Sequence, residues 1–221
     1  MLASELFESV RAELAPVEEA IRSHRFVRSL AAGDVPEQAL RALAGEQRRI
    51  IASDRRSFAQ LAARFPSPPA GGWFLSMALG EGEALALLDG YAAWLSLDED
   101  WLESYEPDAR AQAYPAFVAW LALNGSVGAV ALAFLANLVA WGENCAGVAA
   151  ALRHAHDAGD DAVAFFEYFA APAPDLHEQT LTVVQAGLDA GDDPGEMRRA
   201  ARLLQAYELL FWDALADAGA P

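Results

Sequence analysis

Apolar residues return along this chain at three- and four-residue intervals, and the stretches that interrupt the rhythm are short and rich in proline, glycine or aspartate. Residues 4–32 carry this helical period, with a break or kink expected near Pro16 and an end at Gly33. A second helix follows 33-GDVPEQ-38, where Pro36 suits a first turn because its missing N–H would have no partner there. Leu40, Leu43, Ile50, Ile51, Phe58 and Leu61 hold the spacing as far as Phe65. The run 66-PSPPAGG-72 predicts a loop, and 73–96 a third helix with weak points at Gly80, Gly82 and Gly90. The acidic 98-DEDWLESYEPD-108 reads as a short connection. Helices are expected over about 108–124, with Pro115 inside, then 126–153, 161–170 and 175–190. The last helix opens at 193-DPGE-196, where Asp193 caps, Pro194 takes the first position and Glu196 completes a capping box. No hairpin turn lies between alternating residues and no internal repeat is present. The pattern predicts an all-α, multi-helix bundle forming a single domain over residues 1–221.

Composition supports this and narrows the partners. A hydrophobic content of 54% in 221 residues is enough for one sizeable core, and alanine and leucine favour helix over sheet. The formal charge is −17, and arginine supplies all 15 basic side chains because lysine is absent. Binding to a phosphate backbone or an anionic membrane needs clustered cations, so neither nucleic acid nor membrane is an expected partner. The single cysteine, Cys145, allows no internal disulfide and fits a reducing cytoplasm, the expected location. The opening MLASELFESVRAELAP lacks the basic and apolar regions of a signal peptide. The most apolar run, 127-VGAVALAFLANLVAWG-142, has 16 residues, contains Asn137 and is closed by Glu143. A membrane span needs about 20, so a central core helix is the reading.

One acidic residue stands out. In 206-AYELLFWDAL-215, Glu208 is surrounded by apolar and aromatic side chains. On a helix its neighbours are Leu204, Gln205, Phe211, Trp212 and Leu215, which places it on the core-facing stripe. A buried ionised carboxylate without a partner costs several kcal/mol. Either an arginine or a helix-to-helix hydrogen bond satisfies Glu208, or it faces a pocket and handles protons or a polar ligand.

YELLFW followed by DAL resembles the closing helix of the TenA (thiaminase II) family, whose fold is heme-oxygenase-like. Three further segments are similar to that family in the same order: 24-HRFVRSLAAGDVPEQALRALAGEQ-47, 113-AYPAFVAWLALNGSV-127 and 181-LTVVQAGLDAG-191. The resemblance implies a helical bundle of TenA type, a dimer or tetramer, and a pocket for an aminopyrimidine or thiamin-related compound. In it Glu208 acts as acid/base, and Tyr114 matches the tyrosine that stacks on the ring. The family's thiaminases also use a cysteine nucleophile, and an aspartate after a glutamine to grip the pyrimidine. Here Trp141 stands at the nucleophile position, with Cys145 one turn away, unless the register slips by a turn. Arg48 replaces the aspartate.

The expected site is therefore Tyr114, Trp141, Glu143, Glu208 and Phe211, with Arg48 and Cys145 nearby. Arg48 is either a grip for an anionic ligand or an internal mate for Glu208 or Glu143. Glu143 has the alternative of pairing with Arg48 or Arg49. Di-iron oxidases of related fold require histidines that this chain replaces by Leu85 and Leu88, and His177 alone remains of their second cluster. His154 and His156, beside Asp157, read as a solvated turn. No metal or cofactor is expected. An enzyme that hydrolyses an amino-heterocycle, with water as nucleophile, and a non-catalytic ligand-binding or regulatory protein are the two functional readings.

Overall fold

In the computed structural model, residues 1–219 are described, and they form ten helices with no strand among them. The first, α1, spans Ala3–Arg22 and runs straight through Pro16. Pro16 is exposed and forfeits one backbone hydrogen bond, while Leu14, Glu18 and Ile21 keep the opposite side of the helix buried. The break falls instead at Ser23–His24, where the His24 ring accepts the Phe26 N–H at 3.2 Å and starts α2, Arg25–Ala32. Gly33 ends α2 in the left-handed conformation, with φ of 75°.

The long α3, Glu37–Arg64, packs against α4, Ala70–Trp94. The expected loop over 66–72 is shorter than its glycines suggest. Gly71 lies in the first turn of α4, so close to the preceding loop that a Cβ there would sit 2.4 Å from the Pro66 carbonyl oxygen. The acidic connection contains its own turn of helix, α5 (Glu99–Ser104), capped by Asp98, whose side chain accepts the Trp101 N–H. Next come α6, Ala109–Asn124, with Pro115 inside it, and α7, Val127–Ala155. Then follow α8, Asp160–Ala170, α9, Pro174–Asp189, and α10, Pro194–Asp217.

Helix α7 is the centre. It touches α1, α2, α8, α9 and α10, and residues 128–137 are all buried. Its length and hydropathy would suffice for a membrane span, yet two thirds of that apolar window (67%) is covered by the surrounding helices. Two glycines set how closely α8 approaches. A Cβ at Gly90 would lie 2.3 Å from the Asp161 carbonyl oxygen, and one at Gly142 would lie 2.9 Å from that of Phe169. Gly142 thereby lets the end of α8 come down beside Trp141, at the edge of an interior cavity.

Candidate functional site

Each helix around the cavity presents one stripe. Gln47, Ile50, Ile51 and Asp54 recur on α3 at intervals of three and four, as do Phe134, Asn137, Leu138 and Trp141 on α7. Glu81 from α4, Tyr114 from α6, Phe169 from α8 and Glu208 with Phe211 from α10 complete the wall. The inner cavity encloses about 50 Å³. It adjoins an outer cleft of about 930 Å³ among α4, α7, α8 and α9, and Glu81, Leu138 and Phe169 border both.

Glu208 is 2% exposed and no arginine reaches it among the described residues. Its partners are neutral donors. Trp212 Nε1 donates to Oε1 at 3.2 Å, and Asn137 Nδ2 donates to Oε2 and also to Gln205 Oε1 at 2.8 Å. The Tyr114 hydroxyl donates to Asn137 Oδ1 at 2.9 Å. Asn137 thus joins Tyr114 to Glu208 across three helices. Burial pushes the Glu208 carboxyl up to about 7, against the two hydrogen bonds, which favour the ionised form. The proton equilibrium lies near neutrality, where a group can both take and give a proton.

Two more carboxylates enter the same space. Asp54 is buried, and its Oδ1 has no hydrogen-bond partner. Burial and the neighbouring Glu81 charge hold its carboxyl well above the usual range. Glu81, half-buried at the boundary between cavity and cleft, is pushed up to about 8 by desolvation. The Tyr114 phenol is raised by burial first, then by the charges of Asp54, Glu208 and Glu81. Among the described residues, no arginine or histidine lines the inner cavity.

Of the side chains singled out in the sequence, Tyr114, Trp141, Glu208 and Phe211 meet here. Trp141 lies edge-on to Phe211, with ring centroids 6.1 Å apart, and tilted over Trp212 at 5.8 Å. Arg48, Glu143 and Cys145 do not line the inner cavity. Arg48 follows Gln47 by one residue, so the helix turns it about 100° away, and it pairs with Asp89 at 3.4 Å and with Glu99. Glu143 borders the outer cleft and pairs with Arg22 of α1 at 3.0 Å rather than with Arg48 or Arg49. Arg49 donates instead to the carbonyls of Glu103 and Tyr105. Cys145 is buried one turn beyond Trp141, and burial, followed by the nearby Glu208 charge, holds its thiol well above the ordinary value. That disfavours the thiolate a nucleophile needs. The His156 ring meets the Leu30 carbonyl at 3.0 Å, and His24 meets Asp213 at 3.1 Å. No group of three or more His, Cys, Asp or Glu side chains among the described residues is arranged to hold a metal ion.

Sequence reasoning missed Gln47, Asp54, Asn137 and Glu81 as cavity residues. Asp54 was findable, since it lies three and four residues beyond Ile51 and Ile50 on an apolar stripe. Asn137, the one polar residue inside the apolar run, offered a similar signal.

The bundle has a heme-oxygenase-like fold. The solved structures agree. A TenA homologue from Pyrococcus horikoshii OT3 superposes with a TM-score of 0.78 at 17% identity, covering 97% of this chain and 99% of that one. A heme-oxygenase-like domain of unknown function from Shewanella denitrificans OS217 gives 0.80 at 12%, covering 94% and 90%. A protein from Sulfolobus solfataricus P2, proposed as a TenA-like thiaminase, gives 0.63 at 13%, covering 94% and 95%. No curated protein matches the chain in sequence. The model of the TENA/THI-4/PQQC family matches residues 11–218, and the chain belongs to that family.

Proposed function

We propose that the inner cavity binds a flat, cationic amino-heterocycle of the aminopyrimidine or thiamin-fragment kind, and that Glu208 is its acid/base group. The observation that carries this reading is the acidic lining of the wall, whose ionised form a bound cation favours. Three carboxylates, from Asp54, Glu81 and Glu208, face an aromatic cavity that contains no basic side chain among the described residues. Such a wall disfavours an anionic ligand and favours a ring that carries or acquires a proton. In the hydrolytic form of the reading, ionised Glu208 takes a proton from water as the water oxygen bonds to the carbon bearing an amino group. It returns that proton to the amine as the C–N bond breaks. The Tyr114–Asn137 link fixes the carboxylate during both transfers.

Ring binding requires movement. A cavity of about 150 Å³ accommodates benzene, three times the present inner volume. Phe169 and Leu138, which face both cavity and cleft, are the side chains whose rotation joins the two spaces. Binding without turnover is the second reading, favoured by the position of Cys145 away from the cavity wall.

A thermal-shift and calorimetric series with 4-aminopyrimidines, thiamin and small carboxylates tests the proposal. Aminopyrimidines should raise the melting temperature and carboxylates should not. The Cys145→Ala variant should bind them as the parent does. Preference for carboxylates would overturn the reading, and release of ammonia from a bound aminopyrimidine would separate hydrolysis from binding alone.

A further inference from the structure

Glu208 alone would serve a single basic nitrogen, which leaves Asp54 and Glu81 unexplained. Asp54 is 3% exposed, its Oδ1 lacks any partner, and it faces the cavity from α3. Burying a carboxylate in this way costs several kcal/mol, whereas asparagine or leucine would hold the helix without that penalty. Glu81, half-buried, enters the same cavity from α4, and no ion pair relieves either group among the described residues. Arg55 lies alongside Gly82, its Cζ 3.3 Å from where a Cβ would stand. It bonds neither carboxylate.

The pair is also separate from Glu208. Asp54 and Glu81 come from the packed pair α3 and α4, whereas Glu208 comes from α10, where its partners are Trp212 and Asn137. The cavity therefore has acidic groups on two sets of helices, α3–α4 and α10, whose ionised form a bound cation favours. Glu81 places one of them at the opening into the cleft.

We propose that Asp54 and Glu81 form a second cation grip, so that this pocket takes a dication: a slender diamine, with one nitrogen held by Glu208 and the other by the Asp54–Glu81 pair. A four-carbon diamine has six heavy atoms, as benzene has, so it too extends from the inner cavity of about 50 Å³ toward the cleft that Glu81 borders. The Asp54 Oδ1 lone pairs, unused in the protein, accept the ammonium N–H groups. The inference rests on the cavity being a ligand site, as proposed above, and adds a second recognition point to it.

The test compares 1,4-diaminobutane with n-butylamine and a 4-aminopyrimidine by calorimetry at pH 8.5, on the parent, Asp54→Asn and Glu81→Gln proteins treated with chelator. The diamine should bind the parent at least ~10-fold more tightly than the monoamine, about 1.4 kcal/mol. Either substitution should erase that advantage and weaken the aminopyrimidine by a smaller factor than the diamine. Asp54→Asn replaces a buried, unpartnered carboxyl by an amide of the same shape, so folding should survive, and Glu81→Gln gives an independent check. Aminopyrimidine binding without a diamine advantage would overturn the second grip while leaving the proposed function intact. Equal loss of diamine and aminopyrimidine affinity in the variants would also overturn it, by showing one shared grip. Saturable Mn²⁺ binding that displaces the diamine and disappears in Asp54→Asn would assign the pair to a metal instead. Absence of binding by all three amines would overturn both proposals.

Discussion

Glu208→Gln should weaken aminopyrimidine binding by about tenfold or more, the scale of one charge-assisted hydrogen bond, and should abolish any turnover. Its effect on stability should change with pH. The folded carboxyl is raised to about 7 from its ordinary 4.5. Below 4.5 both folded and unfolded chains carry the proton and the group contributes no difference. As pH rises toward 7 the unfolded chain has lost its proton and the folded one still holds it, so the parent loses stability with rising pH. By 8 the loss reaches roughly 3 kcal/mol. Glutamine escapes this decline. It brings a constant penalty of its own, because both Glu208 oxygens accept from donors, Trp212 Nε1 and Asn137 Nδ2, and an amide NH₂ must now face one of them. That clash costs about 1–3 kcal/mol. The variant should therefore be less stable than the parent at pH 5 and should close or reverse the gap by pH 8. Urea denaturation at the two pH values measures it. A pH-independent stability loss with unchanged ligand affinity would refute the acid/base assignment.

Asn137→Leu should have the largest structural effect, lowering stability by about 3–5 kcal/mol. Leucine fits an apolar helix, but here it orphans three groups at once: the Tyr114 hydroxyl, Gln205 Oε1 and Glu208 Oε2. Loss of a donor that favours the ionised form should also drive the Glu208 carboxyl above its present value. Denaturant midpoints check the first effect and the pH dependence of ligand binding the second. A loss below about 1 kcal/mol would mean that water, rather than Asn137, can satisfy these groups.

The helical class, the buried position of Glu208 and the central role of the apolar run were legible because they depend on periodicity within one segment. The partners of Glu143 and Arg48 were not. Glu143 pairs with Arg22 across 121 residues of sequence, and no local pattern announces a contact between α1 and the end of α7's apolar run. Arg48 was misplaced because a motif match assigns a residue to a turn of helix and not to a face; one position beyond Gln47 is enough to turn it outward. The break at Ser23 is hard to see because proline is the louder signal, although the histidine that caps α2, His24, stands directly before Arg25 and Phe26. Glu81 lies between Gly80 and Gly82, which suggested a weak stretch of helix rather than a cavity wall.

The bond from Trp212 Nε1 to Glu208 gives the pocket an optical reporter. An indole that donates to a carboxyl group changes its emission when that group gains or loses a proton or is covered by a ligand. Trp212 is 1% exposed, so solvent quenchers do not blur the signal. Subtracting the spectrum of a Trp212→Phe variant from that of the parent isolates it from the other five tryptophans. The difference should titrate with a midpoint near 7, and the midpoint should fall when a cationic amine is bound, because a positive charge beside Glu208 favours its ionised form. Ligand occupancy and protonation can then be followed in one cuvette without labelling the protein.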